Sequence, residues 1–323
     1  MTVVFTSGST GQPKGVMLTH RNVGANVEGF ATALGLRSND VLVGVLPFFH
    51  ALGYTATLWA PLVLEKLVVY HYNPLEAHRV GDLVRRNAAT ILLATPTLLR
   101  LYTKRCPKGD FASLQLVFVG AERLSPAIAT AFRNKFGIEP CEGYGVTKLS
   151  PVVSANAPVD RGPNAAAQGF RAGTVGRPLP GVLVTVVDLQ SGEDLGKDRP
   201  GLLLVKGPSV MKGYLGDPAR TAEVMHDGWY VTGNIAVADA DGFLRLVDRL
   251  GRFSKIGGEM VPHIRVEEAI RGVLGPEGER AQLIVTAVPD ENKGERLIVL
   301  HTGLSQSPET ISRQLGQQGT PAL

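Results

Sequence analysis

Residues 5–15 read Phe5-Thr6-Ser7-Gly8-Ser9-Thr10-Gly11-Gln12-Pro13-Lys14-Gly15, with three glycines, four hydroxyls and one lysine. Glycine lets the backbone approach a ligand closely and present its N–H groups. The hydroxyls add donors, and Lys14 adds a mobile positive charge. Such a stretch is built to hold a polyphosphate. It is not a Walker A loop, because Pro13 stands where that loop has its second glycine and Gly15 follows Lys14 in place of Ser or Thr.

Short apolar runs flank the loop, Val3 to Phe5 before it and Val16 to Leu18 after it. A helix is expected from Thr19, with Val23, Val27, Phe30 and Leu34 on one face and Gly35 at its end. Ile91 to Ala94 reads as a buried strand with Pro96 in the first turn of the next helix. Leu114 to Val119 is another strand, and Ser125-Pro126 opens a helix that Gly137 closes. Strand–helix repetition predicts an α/β fold with a mainly parallel sheet. After Gly173 the pattern changes to short β-like runs, Val182 to Val187, Leu202 to Val205 and Phe243 to Val247. Turns at Ser191-Gly192, Pro200-Gly201 and Asp241-Gly242 make this an antiparallel section. From Asp248 a smaller unit is expected, with a helix around Val266 to Leu274 and strands at Leu283 to Val288 and Leu297 to His301. Gly316 to Leu323 has no recognisable terminating structure. The expected division is thus a large α/β domain, 1–247, and a small α+β domain, 248–323.

Over 323 residues, 44% are apolar and 19% charged, which excludes general disorder. The longest apolar stretch, Ala56 to Tyr70, is broken by Pro61, Glu65 and Lys66, short of a membrane span. Met1 to Gly11 lacks the pattern of a secretory signal. Cys106 and Cys141 can form neither a disulfide framework nor a metal cluster, so no metal ligands are assigned and a cytoplasmic location is expected. Lys and Arg number 33 against 29 Asp and Glu. The excess lies before residue 248, without a basic run, which fits anionic small molecules better than nucleic acid.

Further motifs follow the loop in order: Val119-Gly120-Ala121-Glu122, Gly143-Tyr144-Gly145-Val146-Thr147, Trp229-Tyr230-Val231-Thr232-Gly233, Asp248-Arg249, Ile256-Gly257-Gly258-Glu259, and Val288-Pro289-Asp290 to Gly294-Glu295. Together with the loop they resemble the signatures of the adenylate-forming superfamily of acyl-CoA synthetases, adenylation domains and luciferases. The resemblance runs from Phe5 to Glu295. Leu46-Pro47-Phe48-Phe49-His50, Ala94-Thr95-Pro96 and Phe253 to Pro262 are most similar to fatty acyl ligases, particularly bacterial acyl-ACP synthetase modules.

The resemblance implies a two-step reaction. A fatty acid carboxylate attacks ATP to give an acyl-adenylate, and a thiol of CoA or acyl carrier protein takes the acyl group, with Mg²⁺ usually assisting. It assigns Thr6, Ser7, Gly8, Ser9, Thr10, Gly11 and Lys14 to the outer phosphates. Gly120, Ala121, Glu122 and Tyr144 fall on the adenine side, Thr147 at the α-phosphate, and Arg249 at the ribose. Phe48, Phe49 and His50 are read as acyl-pocket lining or, alternatively, as core packing around a buried histidine.

Two positions depart from the pattern. Lys148 follows Thr147 where the family carries a metal-binding glutamate, and a lysine cannot ligate a cation. Asn234 replaces the aspartate that accepts both ribose hydroxyls, keeping one acceptor without the charge. Relative to the family the chain is also expected to be truncated at both ends, starting at the phosphate loop and stopping before the adenylation lysine. Gly251 stands where many members have a hinge Asp or Lys. Two readings remain, an acyl ligase with impaired catalysis and a non-catalytic remnant that binds nucleotide or acyl chain.

Overall fold

A computed structural model describes residues 1–6, 13–256, 259–275, 278, 281–290 and 294–317. Strands β1 (Thr2–Thr6) and β2 (Lys14–Leu18) form an antiparallel hairpin whose last pair is Thr6 with Lys14. Helix α1 (His20–Ala33) follows, with Thr19 as N-cap in a reciprocal capping box with Asn22. Its apolar residues Val23, Val27 and Phe30 are buried, as their spacing predicts.

The alternating part gives β3 (Val41–Gly44), a π-helical segment at Gly53–Trp59, α2 (Ala60–Val63), β4 (Leu67–Tyr70), α3 (Ala77–Arg86) and β5 (Ile91–Ala94). Then come α4 (Pro96–Arg105), β6 (Leu116–Val119), α5 (Pro126–Phe136), β7 (Cys141–Gly145), β8 (Val152–Ala155), α6 (Pro163–Gln168) and β9 (Arg177–Pro178). These strands make one seven-stranded sheet in the order β4-β3-β5-β6-β7-β8-β9. It is parallel from β4 to β7 and antiparallel from β7 to β9. Four-residue strands buried on both faces, such as Ile91–Ala94 and Leu116–Val119, are what a covered parallel sheet requires. Thr95 and Ser125 cap α4 and α5, and Gly137 ends α5 at φ 77°. Phe30 of α1 meets Phe118 of β6 edge-on at 5.2 Å, joining helix to sheet in the main core.

The β-rich section holds β10 (Leu183–Val187), β11 (Gly201–Lys206), β12 (Gly213–Tyr214), α7 (Pro218–Val224), β13 (Met225–His226), β14 (Trp229–Ala238) and β15 (Leu244–Arg249). Gly201 opens β11, so Pro200-Gly201 leads into a strand in place of the expected turn. β12 joins the first hairpin as its third strand, beside β2.

The chain forms two compact units, one of Met1–Arg199, Leu203–Thr232 and Val237–Arg245, the other of Pro200–Leu202, Gly233–Ala236 and Leu246–Leu323. The second contains β16 (Phe253–Ile256), β17 (Glu259–Pro262), α8 (His263–Leu274), β18 (Leu283–Asp290), β19 (Gly294–His301) and a last helix, Pro308–Gln317. Its sheet order is β17-β16-β19-β18, and its core comprises Val266, Ile270, Leu274, Leu283, Val285 and Ile311. The last helix crosses Gly316, where the sequence offered no terminating element; residues 318–323 lie outside those described.

Candidate functional site

Ligands of open α/β sheets bind beyond the carboxyl ends of parallel strands. Here those ends carry sequence-predicted residues: β3 runs into Leu46–His50, β5 into Thr95–Thr97, β6 into Gly120–Glu122, and β7 into Val146–Lys148. The loops are bonded to one another. The Gly120 N–H donates to the Ala94 carbonyl at 3.3 Å. The Thr97 N–H and hydroxyl donate to Glu122 Oε2 at 3.2 and 2.6 Å, so this carboxylate also faces the N-terminal turn of α4. Ala121 between them takes the left-handed conformation, φ 70°. Tyr144 is 7% exposed, and β7 bulges just after it. Gly143 beside it has no room for a side chain, since a Cβ there would lie 2.3 Å from the Phe118 ring.

The turn after β7, Thr147–Leu149, is fixed from three sides. Asn26 of α1 donates to the Leu149 and Val152 carbonyls at 3.3 and 2.6 Å and accepts from the Val152 N–H at 3.2 Å. Asn22, one helical turn earlier, donates to the Pro208 and Val210 carbonyls at 2.7 and 2.8 Å. The Ser150 hydroxyl reaches the Ser209 carbonyl at 2.8 Å. Two consecutive amides complete the connection. Met211 N–H donates to the Lys148 carbonyl at 2.7 Å, and Lys212 N–H to the Met17 carbonyl of β2 at 2.9 Å. The Thr147–Lys148 turn is thereby joined to the strand that leaves the glycine-rich loop. At the base of that loop Lys14 holds its ammonium 5.7 Å from the centre of the Tyr214 ring, and Thr6 Oγ1 is buried with no hydrogen-bond partner among the described residues. Ser7, Gly8, Ser9, Thr10 and Gly11 lie outside the described residues.

Phe48, Phe49 and His50 are exposed, the first two at 43% and 73%. Their alternative reading as core packing is therefore corrected. Phe48 packs edge-on against Tyr70 at 5.4 Å, and the Tyr70 hydroxyl donates to the Thr57 carbonyl within the π-helical segment. That segment comes so close to the preceding turn that a Cβ at Gly53 would lie 2.2 Å from the Pro47 carbonyl oxygen. Nothing in the sequence had singled it out.

Asn234 and Arg249 belong to the second unit. Asn234 is buried in β14, and Arg249 is exposed at the end of β15. Asp248 accepts the Arg249 N–H with one carboxylate oxygen and the Ile264 N–H of α8 with the other. Buried Ser254 and His263 share a hydrogen bond of 2.6 Å, a pair the sequence did not advertise. Gly257, Gly258 and residues 291–293 of the later motifs are outside the described set.

The first two-thirds of the chain, residues 1–215, match the family of AMP-binding enzymes. The chain belongs to that family. It is 32% identical to a long-chain-fatty-acid–CoA ligase of Bacillus subtilis over 95% of this chain and 54% of that one. A feruloyl-CoA synthase of Amycolatopsis is also 32% identical, over 91% and 57%. Among solved structures, ATP-bound MatB from Rhodopseudomonas palustris superposes with a TM-score of 0.83 at 26% identity, covering 98% of this chain and 61% of MatB. The α/β architecture is thus that of the AMP-binding enzymes. The chain spans about half the length of the curated relatives it matches.

Within this AMP-binding fold, Glu142 is the charged group that the sequence gave no reason to select. It stands on β7 two residues before Tyr144 and accepts the Leu124 N–H at 3.0 Å, just beyond the Gly120–Glu122 loop. Burial pushes its carboxyl up to about 7 from 4.5, against the opposing pull of that N–H and of the Arg123 charge. A carboxyl whose pKa rises on folding stabilises the folded chain below its unfolded value. That contribution is lost as pH climbs through the folded value. Glu142→Gln, which keeps an acceptor for Leu124, should therefore match the parent near pH 4. The variant's advantage should grow to roughly 3 kcal/mol above pH 7, from 1.36 kcal/mol per pKa unit. Urea midpoints across this range check it; a pH-independent gap contradicts the assignment.

Proposed function

We propose that the chain carries the nucleotide- and acid-binding part of an ATP-dependent fatty acyl ligase. The carboxylate attacks the α-phosphorus, pyrophosphate leaves, and the acyl group passes to a thiol of CoA or an acyl carrier protein. The observation that carries this reading is the bonded set of loops at one sheet edge, Glu122 to Thr97 and Met211–Lys212 to Lys148 and Met17. Family membership and acyl-CoA ligases among the relatives support it. Lys14 and the glycine-rich loop would hold the outer phosphates, Thr147 the α-phosphate, and Gly120, Ala121, Glu122 and Tyr144 the adenine. Arg249 and Asn234 would serve the ribose, and the exposed Phe48, Phe49 and His50 the acyl chain. Charge develops on phosphate oxygens during attack, so donors fixed beforehand are what such a site must supply.

Mg²⁺ fits poorly. It is usually held by one or two carboxylates together with substrate phosphates. Here Thr147 is followed by a lysine, which cannot ligate a cation. This donor set favours a second reading in which the chain binds nucleotide with weak or no adenylation.

Exchange of radiolabelled pyrophosphate into ATP, over fatty acids of graded length, tests the main reading. Losing one preorganised contact costs about 2.7–4 kcal/mol of barrier, or roughly a hundred- to thousandfold in rate. Exchange by the parent chain should therefore be slow, and the Lys148→Glu/Asn234→Asp double variant should raise it at least tenfold with Mg²⁺ present, a gain of ~1.4 kcal/mol. Exchange at background in both parent and double variant would leave only the binding reading.

Lys14→Ala should weaken ATP more than AMP, because the lost charge faces phosphates that AMP lacks. Parallel titrations of both nucleotides check this, and equal weakening means the loop is misassigned. His50→Ala should change the preferred acid length while ATP affinity stays near the parental value; unchanged selectivity removes His50 from the acyl site.

A further inference from the structure

We propose that Glu267 and Arg271 of α8 stand in for a neighbouring strand at the free edge of β18, and that this stand-in keeps a second copy of the chain from adding to the sheet there.

The backbone sets the terms. β18 is the outermost strand in the order β17-β16-β19-β18. The Thr302 N–H donates to the Gln282 carbonyl at 3.1 Å, one step before Leu283 faces His301. Bonds alternate along an antiparallel pair, so Gln282, Ile284 and Thr286 face β19, while Leu283, Val285 and Ala287 turn their N–H and C=O groups outward. Two of these outward groups are taken. Arg271 Nη2 donates to the Leu283 carbonyl at 3.2 Å, and the Val285 N–H donates to Glu267 Oε1 at 2.8 Å. An acceptor and a donor two residues apart are what one residue of a parallel neighbour would bond. Glu267 and Arg271, one turn apart on the same face of α8, supply that residue's C=O and N–H between them. The Glu267 carboxylate is buried and is also held by Arg252.

The strand's own composition explains the need. Edge strands are commonly blunted by charges on the strand itself. Leu283 to Pro289 carries none, and Ile284, Val285, Thr286 and Val288 all favour extended chain. Pro289, which has no N–H, ends the outward run. Ile284 and Leu300 lie opposite each other and are 56% and 57% exposed, so apolar surface adjoins this edge. Uncovered, such an edge matches its own copy. A twofold axis at Val285 sets Leu283 against Ala287 of the copy, with an N–H and a C=O at every outward position and no like charges meeting. The charge that the strand lacks comes from α8.

Sedimentation equilibrium of the full chain over a concentration series tests this. Glu267→Ala should associate at least about tenfold more tightly than the parent, towards twice 34.4 kDa, and Arg271→Ala should shift in the same direction. Arg252→Ala breaks the ion pair but leaves Val285 bonded, and should sediment as the parent does. Ile284→Lys, added to Glu267→Ala, should restore parental behaviour because it puts a charge on the edge strand. Circular dichroism establishes that each variant is folded, and Arg271→Ala decides if Glu267→Ala is not. A folded Glu267→Ala that keeps the parent's mass throughout overturns the inference. Association that survives Ile284→Lys, or that Arg252→Ala produces equally, overturns it as well.

Discussion

The irregular backbone beside β2 and β7 stands on two asparagines. Asn22 and Asn26 sit one turn apart on α1, on the same helical face; Asn22 spends both ends of its amide on irregular chain, and Asn26 bonds both polar groups of Val152, where the chain enters β8, and the Leu149 carbonyl. A buried backbone group without a partner costs roughly 1–3 kcal/mol, so these loops could not lie against the core unless something bonded them. Asn22 also accepts the Thr19 N–H within the capping box. One side chain thus starts the helix and anchors the 208–210 segment. The strand leaving the glycine-rich loop, the Thr147–Lys148 turn and the 208–212 segment form one connected piece because of this clamp.

Against that fixed piece, the parallel sheet contributes direction. Strands β3, β5, β6 and β7 end on the same edge, so residues far apart in sequence arrive there together without any long-range instruction beyond strand order. Short buried strands of Val, Leu, Ile and Phe do this with little sequence, and the functional variety is left to the loops. The Glu122–Thr97 bond shows how the loops are then held to each other: a carboxylate from one strand end rests on the first helical turn after another.

The sequence revealed what is local and hid what is distant. Thr19 and Ser125 were readable as helix starts, Pro96 as a first-turn residue and Gly137 as a helix end because each acts within a few residues of itself. The strand–helix alternation and the motif loops were equally plain. The asparagine clamp was not, since Asn22 meets partners 186 and 188 residues away and no periodicity marks such a pairing. The π-helical segment was hidden for another reason: Gly53-Tyr54-Thr55-Ala56-Thr57-Leu58-Trp59 mixes β-branched and aromatic residues that favour no helix on propensity alone. Phe48 and Phe49 illustrate the limit of composition. Two adjacent phenylalanines fit a core or a binding surface equally well, and it takes the fold, which leaves both exposed, to set the core reading aside. Glu142 was passed over because its behaviour comes from burial and not from its neighbours in sequence.

The resemblance leads one to expect Glu and Asp where this chain has Lys148 and Asn234, and the two differences share a sign: each removes a negative charge, and the first adds a positive one. In the proposed nucleotide site such changes would raise the positive potential offered to an anion and lower the attraction for a cation. At 234 the same change would also weaken a bond to ribose, since a neutral amide accepts less strongly than a carboxylate. A contact made equally in ground and transition states leaves the barrier unchanged, so added positive charge of this kind would act on nucleotide affinity and not on the chemical step.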